Sequence, residues 1–131
     1  MVRRDLRIRI GSLGIIKFKR GHYIYVGSDQ RNLERRIQRH KRRIKKVKWH
    51  IDYLTTNDDV KVMEAAVYNL PKEYECKLAD MLRNMMFKPI KGFGSSDCRC
   101  ISHLYRIDMD FDRIVSEISG RVRVKPIKLD P

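Results

Sequence analysis

The chain has 131 residues, 42% of them hydrophobic, and its 30 lysines and arginines outweigh 16 acidic residues to give a formal net charge of +14. That length suits one domain, residues 1–131, with a real core, and the hydrophobic content argues against disorder. No apolar run approaches the ~20 residues that span a bilayer, and the start Met1-Val2-Arg3-Arg4-Asp5 lacks the apolar core of a signal peptide, so a cytoplasmic protein with reduced cysteines is expected and a membrane partner is not.

The first elements read as a β-meander. Leu6–Ile10 alternates apolar residues with arginines, Gly11-Ser12-Leu13-Gly14 is a turn, Ile15–Lys19 is a second strand and His22–Val26 a third, ending at Gly27-Ser28. Asn32 is a fair N-cap for a helix reaching Val47, with Leu33, Ile37, Ile44 and Val47 in one narrow stripe. Trp49–Tyr53 reads as a strand or short bridge and Val60–Tyr68 as a strand. Pro71 suits the first turn of a helix over Pro71–Met86. Gly92–Asp97 is a loop, His103–Ile107 a strand, Asp110–Ile118 a helix and Val122–Ile127 a closing strand. The sum is an α+β fold: a small mixed or antiparallel sheet flanked by helices.

Charge is concentrated on one element. Ten of the 30 basic residues lie in Arg31–Lys48, where Glu34 is the lone acid. Like charges at helical spacing repel, and a polyanion relieves that repulsion. Arg35, Arg39, Arg42, Lys45 and Lys46 are expected to point outward, with Lys41 and Arg43 on the shoulders of the stripe, all able to neutralise phosphates without reading sequence. DNA, or alternatively RNA, is the expected partner; the bland reading is a solvated helix face. His40 sits inside the apolar stripe, and Arg36 and Arg43, on one shoulder of it, can lean into the same cleft. It is either a hydrogen-bonded core histidine or part of a site built over the helix.

On the Pro71–Met86 wheel, Glu75 falls within the arc of Leu78, Leu82, Met85 and Met86. A carboxylate there needs an arginine partner or a hard cation such as Mg²⁺ or Mn²⁺. Tyr23 and Tyr25 share one side of their strand. They are packing residues or phenols that position a water near a phosphate. Cys98-Arg99-Cys100-Ile101-Ser102-His103 resembles a partial metal knuckle, with Cys76 as a fourth candidate ligand. Its spacing is not the Cys-x₂-Cys of structural zinc, so buried thiols beside a histidine are expected in preference to zinc. In Trp49-His50-Ile51-Asp52-Tyr53 a His–Asp hydrogen bond is the simple account.

In these residues the chain resembles the GIY-YIG nuclease superfamily. The likeness rests on Tyr25-Val26-Gly27-Ser28 followed by Arg36-Ile37-Gln38-Arg39-His40. It is nearest an uncharacterised branch, found alone or fused to DNA-repair proteins, that also carries the phrases seen here as Trp49–Leu54, Glu75-Cys76, Phe93–Cys98, Cys100 and His103-Leu104. The resemblance covers roughly Gly11–Tyr105. It implies a divalent-metal-dependent endonuclease that hydrolyses DNA phosphodiesters, in a repair setting. Tyr25 would orient or act on the attacking water, Arg36 would stabilise phosphoryl charge, His40 would assist proton transfer or hold Tyr25, and Glu75 would be the protein ligand of one Mg²⁺ or Mn²⁺ ion. One departure stands out. The superfamily's first motif, glycine-isoleucine-tyrosine, is approached only by Gly14-Ile15-Ile16, which lacks the tyrosine. In the branch that strand would precede Met1, so the first strand is expected to be shortened or missing. The alternative function is a nucleic-acid-binding module with a degenerate, inactive site.

Overall fold

A computed structural model describes residues 1–28 and 33–129. The fold is α+β, with its strands in small antiparallel sheets. Strands β1 (Leu6–Arg9) and β2 (Ile15–Phe18) form a hairpin in which Leu6 faces Phe18 and Ile8 faces Ile16. Leu6 and Ile8 turn inward while Arg7 and Arg9 stay in solvent, as a period of two requires. Strand β3 (His22–Tyr25) does not continue the hairpin as a meander. Val2 exchanges hydrogen bonds with Gly21 at 2.8 and 3.0 Å, so the amino-terminal segment pairs with the turn between β2 and β3. β3 instead pairs with β6 (Leu104–Ile107), Tyr25 opposite Leu104, and β6 pairs on its other side with the short β5 (Lys88–Pro89).

β6 divides two cores. Leu104 packs with Ile10, Phe18, Ile51, Leu54 and Phe93. Its neighbour Tyr105 faces the other way, into Val26, Leu82, Phe87, Ile114 and Ile118. Alternation along one strand thus feeds the hairpin side and the helix side of the molecule at once. Helices α3 (Tyr74–Asn84) and α4 (Phe111–Val122) cover the second face through Ala79, Leu82, Ile114, Val115 and Ile118.

Several boundaries differ from expectation, each for a local reason. The Asn32 N-cap lies outside the described residues. Helix α1 (Leu33–Lys41) stops six residues before Val47. The Lys45 ammonium donates to the carbonyls of Arg39 and His40 at 2.9 and 3.2 Å, closing the last turn. Ile44 is consequently 95% exposed and drops out of the stripe. Trp49–Tyr53 is neither strand nor bridge. It starts α2 (His50–Thr55), because Asp52 Oδ2 accepts the N–H groups of Lys48 and Trp49, each at 2.8 Å, and so caps a helix N-terminus.

The expected Val60–Tyr68 strand contracts to β4 (Ala65–Val67), with Val60 left as an isolated bridge to Val2. β4 pairs with β7 (Ile127–Leu129), Val67 opposite Ile127. The closing strand therefore comes later than Val122–Ile127. The apolar face of Ile114, Val115 and Ile118 carries α4 on to Val122, and Arg123, at φ 57°, ends it. In α3 the residues from Pro71 form turns first, and Met86, at φ 68° and 89% exposed, lies beyond the helix and off its apolar arc. Among the described residues no helix is long and apolar enough to cross a membrane.

Candidate active site and the adjoining cysteine cluster

The last residue of β3, the turn after it, the cavity-lining face of α1 and the first turn of α3 meet at Ser28. The Ser28 hydroxyl donates to Glu75 Oε2 at 2.6 Å, and its carbonyl accepts a hydrogen bond from Arg36 Nη1. Arg36 lies over the Trp49 ring, 4.3 Å from its centroid. His40, one turn along α1, stands edge-on to Tyr25 at 6.1 Å between centroids and is tilted against Trp49 at 6.1 Å. Tyr25, Arg36, His40 and Glu75 all line one cavity of about 720 Å³. The structure therefore brings these four side chains together.

Two glycines allow the approach. A Cβ on Gly27 would meet Tyr25 Cε2 at 3.2 Å and Arg36 Nη2 at 3.5 Å. A Cβ on Gly94 would meet Tyr25 at 3.1 Å and the His103 Cβ at 3.3 Å, on a backbone already at φ +70°. The Tyr25 ring is held flat between them.

Electrostatics follow from burial and the arginine. Burial raises the Tyr25 phenol above its ordinary value, Arg36 pulls it back and Glu75 pushes it up. Burial, with Arg36 and Lys45 nearby, depresses His40 from 6.5 to about 4, so its imidazole is neutral at pH 7. Glu75 is held low, first by His103, against the cost of burial, with help from Ser28 and Arg36. Among the described residues, Arg36 Nε and His40 Nδ1 are buried without a hydrogen-bond partner. Buried polar atoms are rarely left so, and both atoms belong to side chains that line the cavity.

The basic residues divide. Arg35, Arg42 and Lys46 are exposed, and Lys41 is half-buried. Arg39 and Lys45, expected to point outward, turn in. Arg39 grips the fully buried Asp52 with both Nη atoms at 2.7 and 2.8 Å, and Lys45 Nζ lies 3.8 Å from the same carboxylate. Arg39 also stacks on Trp49 at 4.5 Å. These hydrogen bonds, against the cost of burial, hold Asp52 down at about 2. Arg43 lies outside the cavity, 3.6 Å from Asp58. The expected His50–Asp52 bond is replaced by Gly94 N–H donating to His50 Nδ1 at 2.8 Å.

Sequence reading missed the hub role of Ser28 and the anchoring role of Asp52. A serine beside a glycine turn gives no signal of its own. Asp52 did give one: an acid three residues after Trp49 at the start of an apolar helical face.

The Glu75 carboxylate has a second neighbour. His103 Nδ1 stands 3.4 Å from Oε1, an ion-pair distance longer than a well-formed hydrogen bond. On the far side of that ring, Nε2 lies 3.4 Å from Cys98 Sγ. The donor atoms of Cys76, Cys98, Cys100 and His103 all fall within 4.8 Å of one another. The three thiols are half-exposed rather than buried, which departs from the expectation of core cysteines.

A family model described as Domain of unknown function DUF123 matches residues 1–124. The chain belongs to that family. Neither the curated proteins nor the solved structures contain a match to it.

Proposed function

We propose that the protein is a divalent-metal-dependent endonuclease acting on DNA, of the GIY-YIG type that its motifs resemble. The observation that carries this is the convergence of Tyr25, Arg36, His40 and Glu75 on one cavity. Hydrolysis needs a water oxygen to bond to phosphorus while the P–O bond to the leaving alkoxide breaks. The proton that leaves the water passes to a base in the site, and the leaving alkoxide takes a proton from bulk water. The Tyr25 hydroxyl orients the water. Neutral His40, against the edge of that ring, accepts a proton. Arg36 holds the non-bridging oxygens, its plane fixed by Trp49 and the Ser28 carbonyl.

Glu75 would hold Mg²⁺ or Mn²⁺. Its carboxylate offers about four lone-pair sites; Ser28 occupies one, and His103 Nδ1 stands 3.4 Å from Oε1. A hard cation held by one protein carboxylate, with phosphate and water completing its shell, suits that donor set. The ion supplies charge stabilisation to the phosphoryl oxygens.

The test is cleavage of nicked and branched duplexes by the full chain and by two variants. Tyr25→Phe is expected to lower turnover by about 10²- to 10⁴-fold, and Glu75→Gln to abolish it, with binding kept in both. Equal turnover by either variant removes that residue from the chemistry. A second reading, a nucleic-acid-binding module with an inactive site, has its own observation. The Tyr23 hydroxyl is spent on the Lys19 carbonyl at 2.8 Å, and the Gly14-Ile15-Ile16 stretch, which comes nearest the superfamily's first motif, carries no phenol. Binding without product under any metal condition would select it.

A further inference from the structure

We propose that Cys76, Cys98, Cys100 and His103 bind one zinc ion. The site does not rest on the phosphodiesterase reading. Three soft sulfur donors and one imidazole are a donor set for tetrahedral zinc. Zn–S bonds of ~2.3 Å and a Zn–N bond of ~2.0 Å place tetrahedral donors about 3.5 to 3.8 Å apart. The Cys98 Sγ to His103 Nε2 separation is 3.4 Å, and the widest spread in the cluster, 4.8 Å, closes with a shift of about 1 Å.

The cluster also has a support of the kind zinc sites use. A zinc-bound histidine presents its other ring nitrogen to a carboxylate, which fixes its tautomer and orientation. His103 meets that description, with Nε2 toward the thiols and Nδ1 toward Glu75. Glu75 and Cys76 are consecutive in the first turn of α3, so one helix start supplies both the carboxylate and a thiol.

The segment between Phe93 and Leu104 has a reason to need a staple. It forms neither helix nor strand, and few of its side chains are buried. Hydrogen bonds tie its two ends together: His103 N–H to the Phe93 carbonyl at 2.8 Å and Gly92 N–H to the Ile101 carbonyl at 2.7 Å. Zinc would tie the middle of the loop to α3 and hold Gly94 against Tyr25.

Metal analysis of the full chain, purified under reducing conditions without chelator, is expected to find one zinc per chain. Protein grown in cobalt medium is expected to show the intense visible bands of tetrahedral thiolate cobalt. The double variant Cys98→Ser, Cys100→Ser should lose both, and Glu75→Gln should weaken zinc binding by about 10- to 100-fold. Wild-type protein without zinc and with only the weak bands of octahedral cobalt would overturn the proposal, whatever the variants do. Iron with acid-labile sulfide in place of zinc would overturn it as well. None of these readouts depends on nuclease activity, so the two proposals stand or fall separately.

Discussion

Asp52 is the residue on which the basic segment turns. Its carboxylate is fully buried and accepts from both Nη atoms of Arg39 and from two backbone N–H groups. Removing one partner of a buried pair costs ~3–5 kcal/mol. Arg39 keeps 24% of its side chain exposed, so Asp52→Ala is expected near the lower limit, about 3 kcal/mol in urea unfolding. A loss below about 0.5 kcal/mol would show that water replaces the pair. Tyr25, by contrast, has the Arg36 guanidinium beside its hydroxyl, and Arg36 is held independently by Trp49 and the Ser28 carbonyl. Tyr25→Phe is expected to leave the melting temperature within about 2 °C of wild type while removing the group assigned to the water. A large drop in melting temperature would make Tyr25 a packing residue.

At the scale of the element, α1 and the turn after it form two surfaces rather than one. Arg35, Arg42 and Lys46 are exposed, whereas Arg39 and Lys45 fold inward onto Asp52. Glutamine at the first three positions is expected to weaken DNA binding and to reduce the salt slope by ~0.9 for each charge that faced a phosphate. Arg39→Gln is expected to lower stability with little change in slope. The opposite pattern would return Arg39 to the binding surface.

This division marks the limit of what the sequence disclosed. Helical periodicity put Arg36, His40 and Glu75 inward correctly, because each lies within a regular stretch of its helix. It failed for Lys45, because α1 ends at Lys41 and Lys45 folds back onto its last carbonyls, and for Arg39, because a helical wheel does not show the buried Asp52 carboxylate that Arg39 reaches on α2. The hairpin was legible from alternation. The partner of β3 was not, because β6 lies about 80 residues further along the chain.

For the whole molecule, the half-buried His40 and the fully buried Asp52 are expected to set the acid limit of stability. The folded value of His40, about 4, lies below its unfolded 6.5, so the unfolded chain takes up a proton that the native state refuses. Stability is expected to fall with pH across that window. Asp52, lowered from 3.8 to about 2, contributes stability that is present above pH 4 and is lost as pH falls toward 2. Melting temperatures from pH 7 to 3 should therefore decline in two stages. His40→Gln is expected to flatten the upper stage and keep the lower. Parallel curves for the two proteins would mean that His40 titrates normally.

At the same scale, one exposed cationic surface lies beside one cavity that gathers a phenol, an arginine, a neutral imidazole and a carboxylate. The most direct measurement is incubation of the full chain with plain, nicked and branched DNA, each with Mg²⁺, with Mn²⁺ and with chelator. Cleaved product that requires the divalent ion is predicted for at least one DNA form. Tight, salt-sensitive binding with no product from any form under either ion would contradict the account.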